Sequence, residues 1–412
     1  MATSAGVATF PAYARSAGAG AGAARSAINP VVRAAFYFFV LSIPFELPQR
    51  TFPVEIPTIT GALFLLATFL QPRASYRRIP AAVLWFVTYL WMFGLSTLMN
   101  RSSQTFLVLQ LFLLMLQLVL ILWAGANLLR DRTVLRGVII AFAFAIAVRA
   151  GMQVLGIGAT AREVWTGGVR ITAFGQNPNW SAIVLSAGAV TLLSLRPRLL
   201  TWPLAALTVL AIIQTGSRGG LVALAFGLLI WAIGLGRTTA AQIRGLFIGV
   251  FALGVLAVGV LQSDMMRTRL AAAAEEGSLA GRERIYPAVI EMISERPILG
   301  WGPIENQYEI AARIGEEKKD RRDAHNIVFD LMSSTGLLGT VPFFIGLGLC
   351  VLSAWRARRG PSGMLPFALL VTTLMGCVSG TWIASKILWL CFAIALASGA
   401  TETRVQAPQE VQ

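Results

Sequence analysis

A chain of 412 residues in which 56% are hydrophobic and 13% charged lies far from the soluble mixture, where about a quarter of residues are charged. This composition and a mean hydropathy of +0.70 exclude an ordinary soluble domain and indicate an integral membrane protein. The net charge of +15 does not indicate nucleic acid as a partner, because the basic residues stand in short clusters between apolar runs.

The chain begins with an Ala- and Gly-rich segment that lacks a continuous apolar run, so we expect a flexible cytoplasmic tail at 1–30 rather than a cleaved signal peptide. A hydrocarbon core of about 30 Å needs roughly 20 apolar residues per crossing helix. Continuous apolar runs predict about twelve transmembrane helices, because only helices satisfy the backbone of such runs inside lipid. The runs lie near 31–48, 54–71, 80–99, 105–126, 134–156, 178–195, 199–214, 219–236, 243–262, 326–354, 364–379 and 384–400.

Basic loops alternate with loops that carry far fewer basic residues, which predicts that the basic loops and both termini face the cytoplasm. Helices 1–9 then occupy 31–262, a large outer loop occupies 263–325, helices 10–12 occupy 326–400, and a second tail occupies 401–412. Within the loop, Ile285, Val289, Ile290 and Ile293 have the spacing of an amphipathic helix. A shorter helix is expected over "ENQYEIAARIGEE".

Three helix starts on the outer face carry polar residues. Asn177 before Pro178 has the pattern of an N-cap followed by proline at the first helical position. Ser217 beside Arg218 could cap the eighth helix, and Asp323 or Asn326 beside His325 could cap the tenth. Because helix starts and arginines both bind anions, the sequence favours a phosphate-bearing ligand on this face.

Arg282 and Arg284 open the loop helix, where a cation opposes the helix dipole, and an anion nearby would explain them.

Structural alternatives stay open for all of these residues. Asn177 and Ser217 could serve only as caps, and Arg218 could reach to lipid headgroups. Arg282 and Arg284 could pair with acidic residues of the loop, namely Glu283, Glu291 or Glu295.

His325 is the only histidine in the chain. A lone histidine is often structural, but a helix start and four nearby cations disfavour the imidazolium form of this one. Those cations are Lys318, Lys319, Arg321 and Arg322. A neutral imidazole can accept a proton from a hydroxyl while arginines stabilise a departing phosphate. The pattern therefore predicts group transfer from a phosphorylated lipid to an alcohol, and the chain lacks DxD, HExxH and Walker patterns that would suggest a metal.

The order of four segments resembles the O-antigen ligase and polymerase superfamily. These segments are "FGQNPNW", "TGSRGGL", "GRERIYPAVIEMISERPILGWGP" and "HNIVFDLMSSTGLLG". The resemblance implies an all-α, metal-independent polytopic glycosyltransferase of GT-C-like architecture, without a cofactor. It also implies a donor glycan on undecaprenyl pyrophosphate and a periplasmic active site in a Gram-negative inner membrane.

By this resemblance, His325 corresponds to the family's essential base and Arg218 to its outer-loop arginine. Arg282 or Arg284 corresponds to the loop arginine that holds the pyrophosphate, and the register between the two is ambiguous. Tyr286 stands where many relatives have tryptophan. Supporting roles are expected for Asn177, Asn179, Ser217, Asn326 and Tyr286.

The first hypothesis from these observations is an O-antigen ligase that transfers a completed glycan to a sugar hydroxyl of lipid A-core. An O-antigen polymerase or a protein O-oligosaccharyltransferase of the same superfamily is the alternative, and acceptor identity separates them. A lipid or sugar transporter is the alternative from another class. Transporters hold ionisable residues near mid-membrane, and Arg149 is the clearest charge inside an apolar run, while Asp330 lies about one turn into its helix.

Overall fold

The computed structural model describes residues 27–46, 55–163, 169–236, 238–275, 282–316 and 321–406. Most of the predicted first tail and residues 407–412 of the second lie outside the described residues, as do Lys318 and Lys319. Residues 401–406 continue the last helix.

The described residues are mostly helical. They form the α-helices α1 (Pro30–Ser42), α2 (Ile56–Thr68), α3 (Pro72–Ser75), α4 (Ala81–Asn100), α5 (Thr105–Leu128), α6 (Arg132–Val154), α7 (Pro178–Ser194), α8 (Arg198–Gln214), α9 (Arg218–Ile233), α10 (Thr239–Leu261), α11 (Asp264–Glu275), α12 (Arg282–Glu295), α13 (Glu305–Arg313), α14 (Ile327–Arg356), α15 (Leu365–Cys377) and α16 (Lys386–Gln406). Short 3-10 helices at Ile43–Phe45 and Ala357–Arg359 extend α1 and α14. An antiparallel hairpin of β1 (Ala159–Glu163) and β2 (Val169–Ala173) joins α6 to α7, an element absent from the all-α prediction.

A helix lies in each of the apolar runs identified in the sequence. Among the described helices, five are long and apolar enough to cross a membrane, namely α4, α5, α6, α10 and α14. Shorter apolar helices include α1, α2, α8, α9, α15 and α16. The chain is therefore a mostly helical, multi-pass membrane protein. The count of twelve crossings and the GT-C-like architecture stay predictions.

The core of the bundle is built around α7. This helix packs against α8, α9 and α15, and all of its residues from Trp180 to Leu192 are buried. Small side chains allow this close packing, since a Cβ on Gly188 would overlap Ile146 of α6, and one on Gly220 of α9 would overlap Ala182. The start of α7 is therefore held in place from several sides.

A break in α14 anchors the loop that follows α12. Gly336 has φ +60° and ψ −163°, which interrupts the helix one third of the way along. Segment 297–302 pairs with the interrupted backbone through hydrogen bonds from Trp301 N to Ser333 O (2.7 Å) and from Leu337 N to Pro297 O (2.8 Å). The hydroxyl of Ser96 of α4 lies within hydrogen-bond distance of the carbonyl oxygens of both Leu299 (2.7 Å) and Ser334 (2.9 Å) and shares its one proton between them. The loop is thus held to α14 by backbone groups that would bond within the helix if it were continuous. It is held to α4 by the hydroxyl of Ser96.

The amphipathic loop helix predicted from the sequence is α12, and the shorter one is α13. Ile285, Val289 and Met292 of α12 pack with Ile310 of α13 and Ala324 in a small apolar cluster of their own. Ile290 lies outside this cluster and is 55% exposed. At 100° per residue, Ile290 lies about 140° around the helix from Ile285, whereas Val289 and Met292 lie close to its direction.

We expect Gly336→Ala to destabilise the protein by about 3 kcal/mol or more, because the φ and ψ of Gly336 are accessible almost only to glycine. An added Cβ would also overlap the carbonyl of Ile298. The measurement is the apparent melting temperature of the purified protein in detergent. Gly348→Ala is the matched control, because Gly348 lies in the same helix with open space around its Cβ position. Equal melting temperatures for the two variants would show that the break does not anchor the loop.

Candidate functional site

Three capped helix starts were predicted, and each cap is present. Asn177 Oδ1 accepts from Asn179 N and Trp180 N at the start of α7. Ser217 Oγ accepts from Gly220 N at the start of α9, and Asn326, rather than Asp323, accepts from Val328 N and Phe329 N at the start of α14. A bond from Ser217 Oγ to Asn179 Oδ1 (3.0 Å) joins the starts of α7 and α9. Two of the three starts therefore lie side by side.

His325 lies in the turn immediately before α14, half-buried, with φ +49°. Contacts with the loop helices fix the residues just before His325. Ala324 is completely buried in the apolar cluster of α12 and α13, and Arg322 N donates to Gln307 O (3.1 Å). A left-handed backbone on a residue other than glycine or asparagine costs energy and is often found at functional positions. The packing of α12 and α13 therefore fixes the turn that carries His325.

The pKa of His325 is lowered, as expected from the sequence, but for a different main reason. Burial of the ring is the largest cause and lowers the pKa. Among nearby charges, Asp323 raises the pKa, whereas Arg282 and Arg322 lower it. Burial disfavours the charged imidazolium because it removes water that would solvate it. A neutral imidazole is therefore the main form near neutral pH.

The structure separates Arg282 from Arg284. Arg282 is half-buried, acts electrostatically on His325, and donates from Nη2 to Ser379 O (2.8 Å). Arg284 is exposed, and its Nη2 donates to Ile314 O (2.7 Å) at the end of α13. Neither pairs with Glu291 or Glu295, because Arg313 forms ion pairs with both of these carboxylates. Of the two loop arginines, Arg282 is the one that shares a site with the histidine.

Tyr286 braces α12 against the start of α14. Its ring meets Phe329 edge-on, with ring centroids 5.0 Å apart. Phe329 lies in the first turn of α14, one turn beyond His325. Tyr286 therefore contacts the helix that follows the histidine, which is a supporting position.

The turn after α15 connects His325 and Arg282 to Arg218. Val378 O accepts from Asn326 Nδ2 (3.4 Å), and Ser379 O accepts from Arg282. A Cβ on Gly219, the residue after Arg218, would meet the hydroxyl of Ser379. Segment 378–379 thus touches the neighbours of all three predicted site residues.

Arg218 belongs to a cluster of three arginines that includes Arg170 of β2 and Arg269 of α11. Burial lowers the pKa of Arg170 to about 9, with further lowering by Arg269, Arg162 and Arg218, and the guanidinium stays charged at neutral pH. Burial is the largest cause that lowers the pKa of Arg269, and the charge of Arg218 lowers it further. Among the described residues, no group forms a hydrogen bond with Arg269 Nε or Nη1, and both atoms are buried. Like charges gathered in this way, with buried donors lacking partners among the described residues, have the electrostatics that an anion would stabilise.

Asn179 and Thr215 hold this cluster in position. Arg170 donates from Nε to Thr215 O (2.7 Å) and from Nη2 to Asn179 Oδ1 (2.9 Å). Asn179 Oδ1 also accepts from Ser217, so a single amide oxygen connects β2, α7 and α9. Within the described ranges, Arg218 forms no hydrogen bond or ion pair, which leaves its guanidinium available.

Sequence reasoning missed Arg170, Arg269 and the turn after α15. Arg170 reaches the site on a hairpin that has no strong pattern in the sequence, and Arg269 reaches it on an exposed polar helix. In the described part of the chain, no three His, Cys, Asp or Glu side chains are grouped so that they could hold a metal ion. The chemistry available to this arrangement is proton acceptance by an imidazole beside anion binding by guanidinium groups.

Comparison with known families adds an independent observation. The sequence model described as O-antigen ligase matches residues 203–344, about a third of the chain. No curated protein matches the chain. The match contains His325, Arg218, Arg269 and both loop arginines.

The matched segment places residues 203–344 of the chain in similarity to the O-antigen ligase family. At a coarse level, members of the O-antigen ligase family are glycosyltransferase-like ligases that act on lipid-type substrates in a membrane. The matched segment runs from α8 through the loop helices into the break of α14, and it therefore includes the element that carries the histidine. Arg170, Asn177 and Asn179 lie outside the match, although Arg170 and Asn179 contact or face residues within it.

We expect Arg282→Gln to raise the pKa of His325, because the variant removes a cation that disfavours imidazolium. The chain has one histidine, so a histidine-labelled sample gives one ring signal whose chemical shift can be followed by NMR against pH. Arg284→Gln is the control and should leave the titration unchanged. A pKa of His325 in the wild type at or above about 6.5, the ordinary value for histidine, would contradict burial of the ring.

We also expect inorganic pyrophosphate at low salt to raise the apparent melting temperature, and Arg269→Gln to weaken this apparent affinity roughly tenfold. The reason is that Arg269 has two buried donors without a partner among the described residues. Arg267→Gln, two residues earlier on the same helix, is the control, because Arg267 is exposed and paired with Asp264. Equal responses in the two variants would place the anion elsewhere.

Proposed function

We propose that the protein is an O-antigen ligase that transfers a preassembled glycan from undecaprenyl pyrophosphate to a sugar hydroxyl of lipid A-core. The reaction takes place on the periplasmic face of a Gram-negative inner membrane. The observation that carries this proposal is the position of the only histidine, half-buried beside Arg282 at the start of α14. The family match supports a ligase or polymerase of this superfamily.

In the proposed step, His325 is the general base. The acceptor hydroxyl oxygen forms a bond to the anomeric carbon while the bond from that carbon to the phosphate oxygen breaks. The hydroxyl proton passes to the imidazole, and the electron pair of the broken bond stays on the leaving undecaprenyl pyrophosphate. Because the hydroxyl attacks opposite the leaving group, the anomeric configuration is inverted. A general base of this kind contributes about 10² to 10⁴ in rate.

The guanidinium groups stabilise the leaving pyrophosphate. Arg218 and Arg282 are assigned to this role first, and Arg170 and Arg269 extend the positive surface beyond Arg218. Charge of this kind stabilises a transition state best when it is fixed before the reaction, and Arg170 is fixed by Thr215 and Asn179. Arg284 is assigned to loop structure, because it is exposed and bonded to the end of α13, and because Arg282 rather than Arg284 acts electrostatically on His325.

The arrangement gives little support to a transporter. Arg149 is completely buried, but it donates to Gln176 and Ser181, and Gln176 in turn donates to Pro44 O (2.9 Å). Asp330 is buried and accepts from Asn306. Both charges are thus part of hydrogen-bonded networks that join helices.

The test is complementation of a ligase-deficient strain that supplies both donor glycan and lipid A-core. We expect wild type to restore a ladder of glycan-bearing lipopolysaccharide, and His325→Ala or Arg282→Gln to leave bare core with accumulated lipid-linked glycan. Arg284→Gln should retain the ladder, and an immunoblot of membranes checks that all variants are present. A normal ladder from His325→Ala would rule out His325 as the base.

The same strains separate the ligase from its relatives. Polymerisation would change the length distribution of the lipid-linked glycan without attaching it to core, and transfer to protein would give glycosylated protein. Either product in place of the ladder would show that the acceptor differs from the one proposed. The proposed role of His325 as the base would be unaffected.

A further inference from the structure

A cavity of about 300 Å³ lies between α6, α7, α8 and the turn before α15, at the arginine-rich end of these helices. It is separate from the candidate site, because α7 and α9 present their capped starts at the opposite end of the bundle. Its wall is mostly apolar and includes Ile139, Ala143 and Ala147 of α6, Leu192 of α7 and Leu204 of α8.

The charged residues of the cavity are Arg136 and Arg196. Both side chains are exposed, and in the described part of the chain neither forms a hydrogen bond or an ion pair. The nearby hydroxyl groups donate to the backbone, Ser194 to Val190 O and Thr201 to Leu195 O. The cavity therefore combines two available guanidinium groups with a wall that is otherwise apolar.

The length of the cavity matches one leaflet of a bilayer. Along α6 it extends from Arg136 to Ala147, a rise of about 16 Å at 1.5 Å per residue. The hydrocarbon core of a bilayer is about 30 Å thick, so this distance is close to half of it. Arg136 lies at the end of the helix, where lipid headgroups are found, and Ala147 lies about as deep as the end of an acyl chain.

We propose that this cavity binds one acidic phospholipid, with its phosphate between Arg136 and Arg196 and one acyl chain along α6. Two guanidinium groups suit a phosphate, since each presents a planar set of donors. Basic pockets between transmembrane helices bind acidic headgroups on the side of the membrane where basic residues gather. A zwitterionic lipid is disfavoured because Arg132 and Arg198 lie in the same turns and repel its ammonium group. The proposal does not depend on the proposed transferase activity.

The test is retention of phosphatidylglycerol, compared with phosphatidylcholine, measured by native mass spectrometry of the full-length protein released from nanodiscs. We expect one phosphatidylglycerol to stay with the wild type. The double variant Arg136→Gln, Arg196→Gln should bind it roughly 30-fold more weakly, as expected for the loss of two basic residues near an acidic headgroup. Ala147→Phe should also lose the lipid, because the added ring fills the deep end of the cavity while both arginines stay.

The matched control is Arg73→Gln, Arg77→Gln, which makes the same change of charge at exposed positions of another basic loop and should retain the lipid. Equal retention of phosphatidylglycerol by this control and the cavity variants would overturn the proposal, as would equal retention of phosphatidylcholine by the wild type. If the double arginine variant does not accumulate, Ala147→Phe decides alone: wild-type retention in that variant overturns the proposal.

Discussion

The docking of segment 297–302 into the break of α14 is the constraint on which the candidate site depends. A helix broken at Gly336 exposes carbonyl and amide groups that must find partners inside the bundle, and the loop backbone supplies them. The same loop carries α12 and α13, whose apolar cluster buries Ala324 and so fixes the turn that contains His325. Backbone pairing in α14 therefore determines where the imidazole stands, several residues away.

Charge then determines what the positioned imidazole can do. Burial and Arg282 keep it neutral, and the turn after α15 brings Arg282 near the start of α9. Beyond Arg218, the buried donors of Arg269 and the bonded guanidinium of Arg170 extend one positive surface. The imidazole thus lies near one cation, Arg282, and the turn after α15 links this pair to the arginine cluster at the start of α9.

Sequence patterns predicted the features that depend on neighbouring residues. The caps at Asn177 and Ser217 follow from residue type and the residues after them, and the helices follow from apolar runs. Features that depend on packing could not be predicted. Arg282 and Arg284 lie about 160° apart around α12, so only the positions of α13 and the turn after α15 decide which of them faces the histidine. The spacing of Ile285, Val289, Ile290 and Ile293 likewise does not say which side of α12 meets the bundle, and Ile290 is exposed.

The hairpin has a consequence for how the site can be divided. Arg170 comes from β2 and Asn179 from α7, both upstream of residue 203, whereas His325, Arg218, Arg269 and Arg282 lie within the segment that matches the family model. A chimera that exchanges only 203–344 between two relatives would carry the histidine and its loop intact. It would combine them with the residues that the other relative carries at the positions of Asn179 and Arg170. The boundary of the exchanged segment would then divide the arginine cluster.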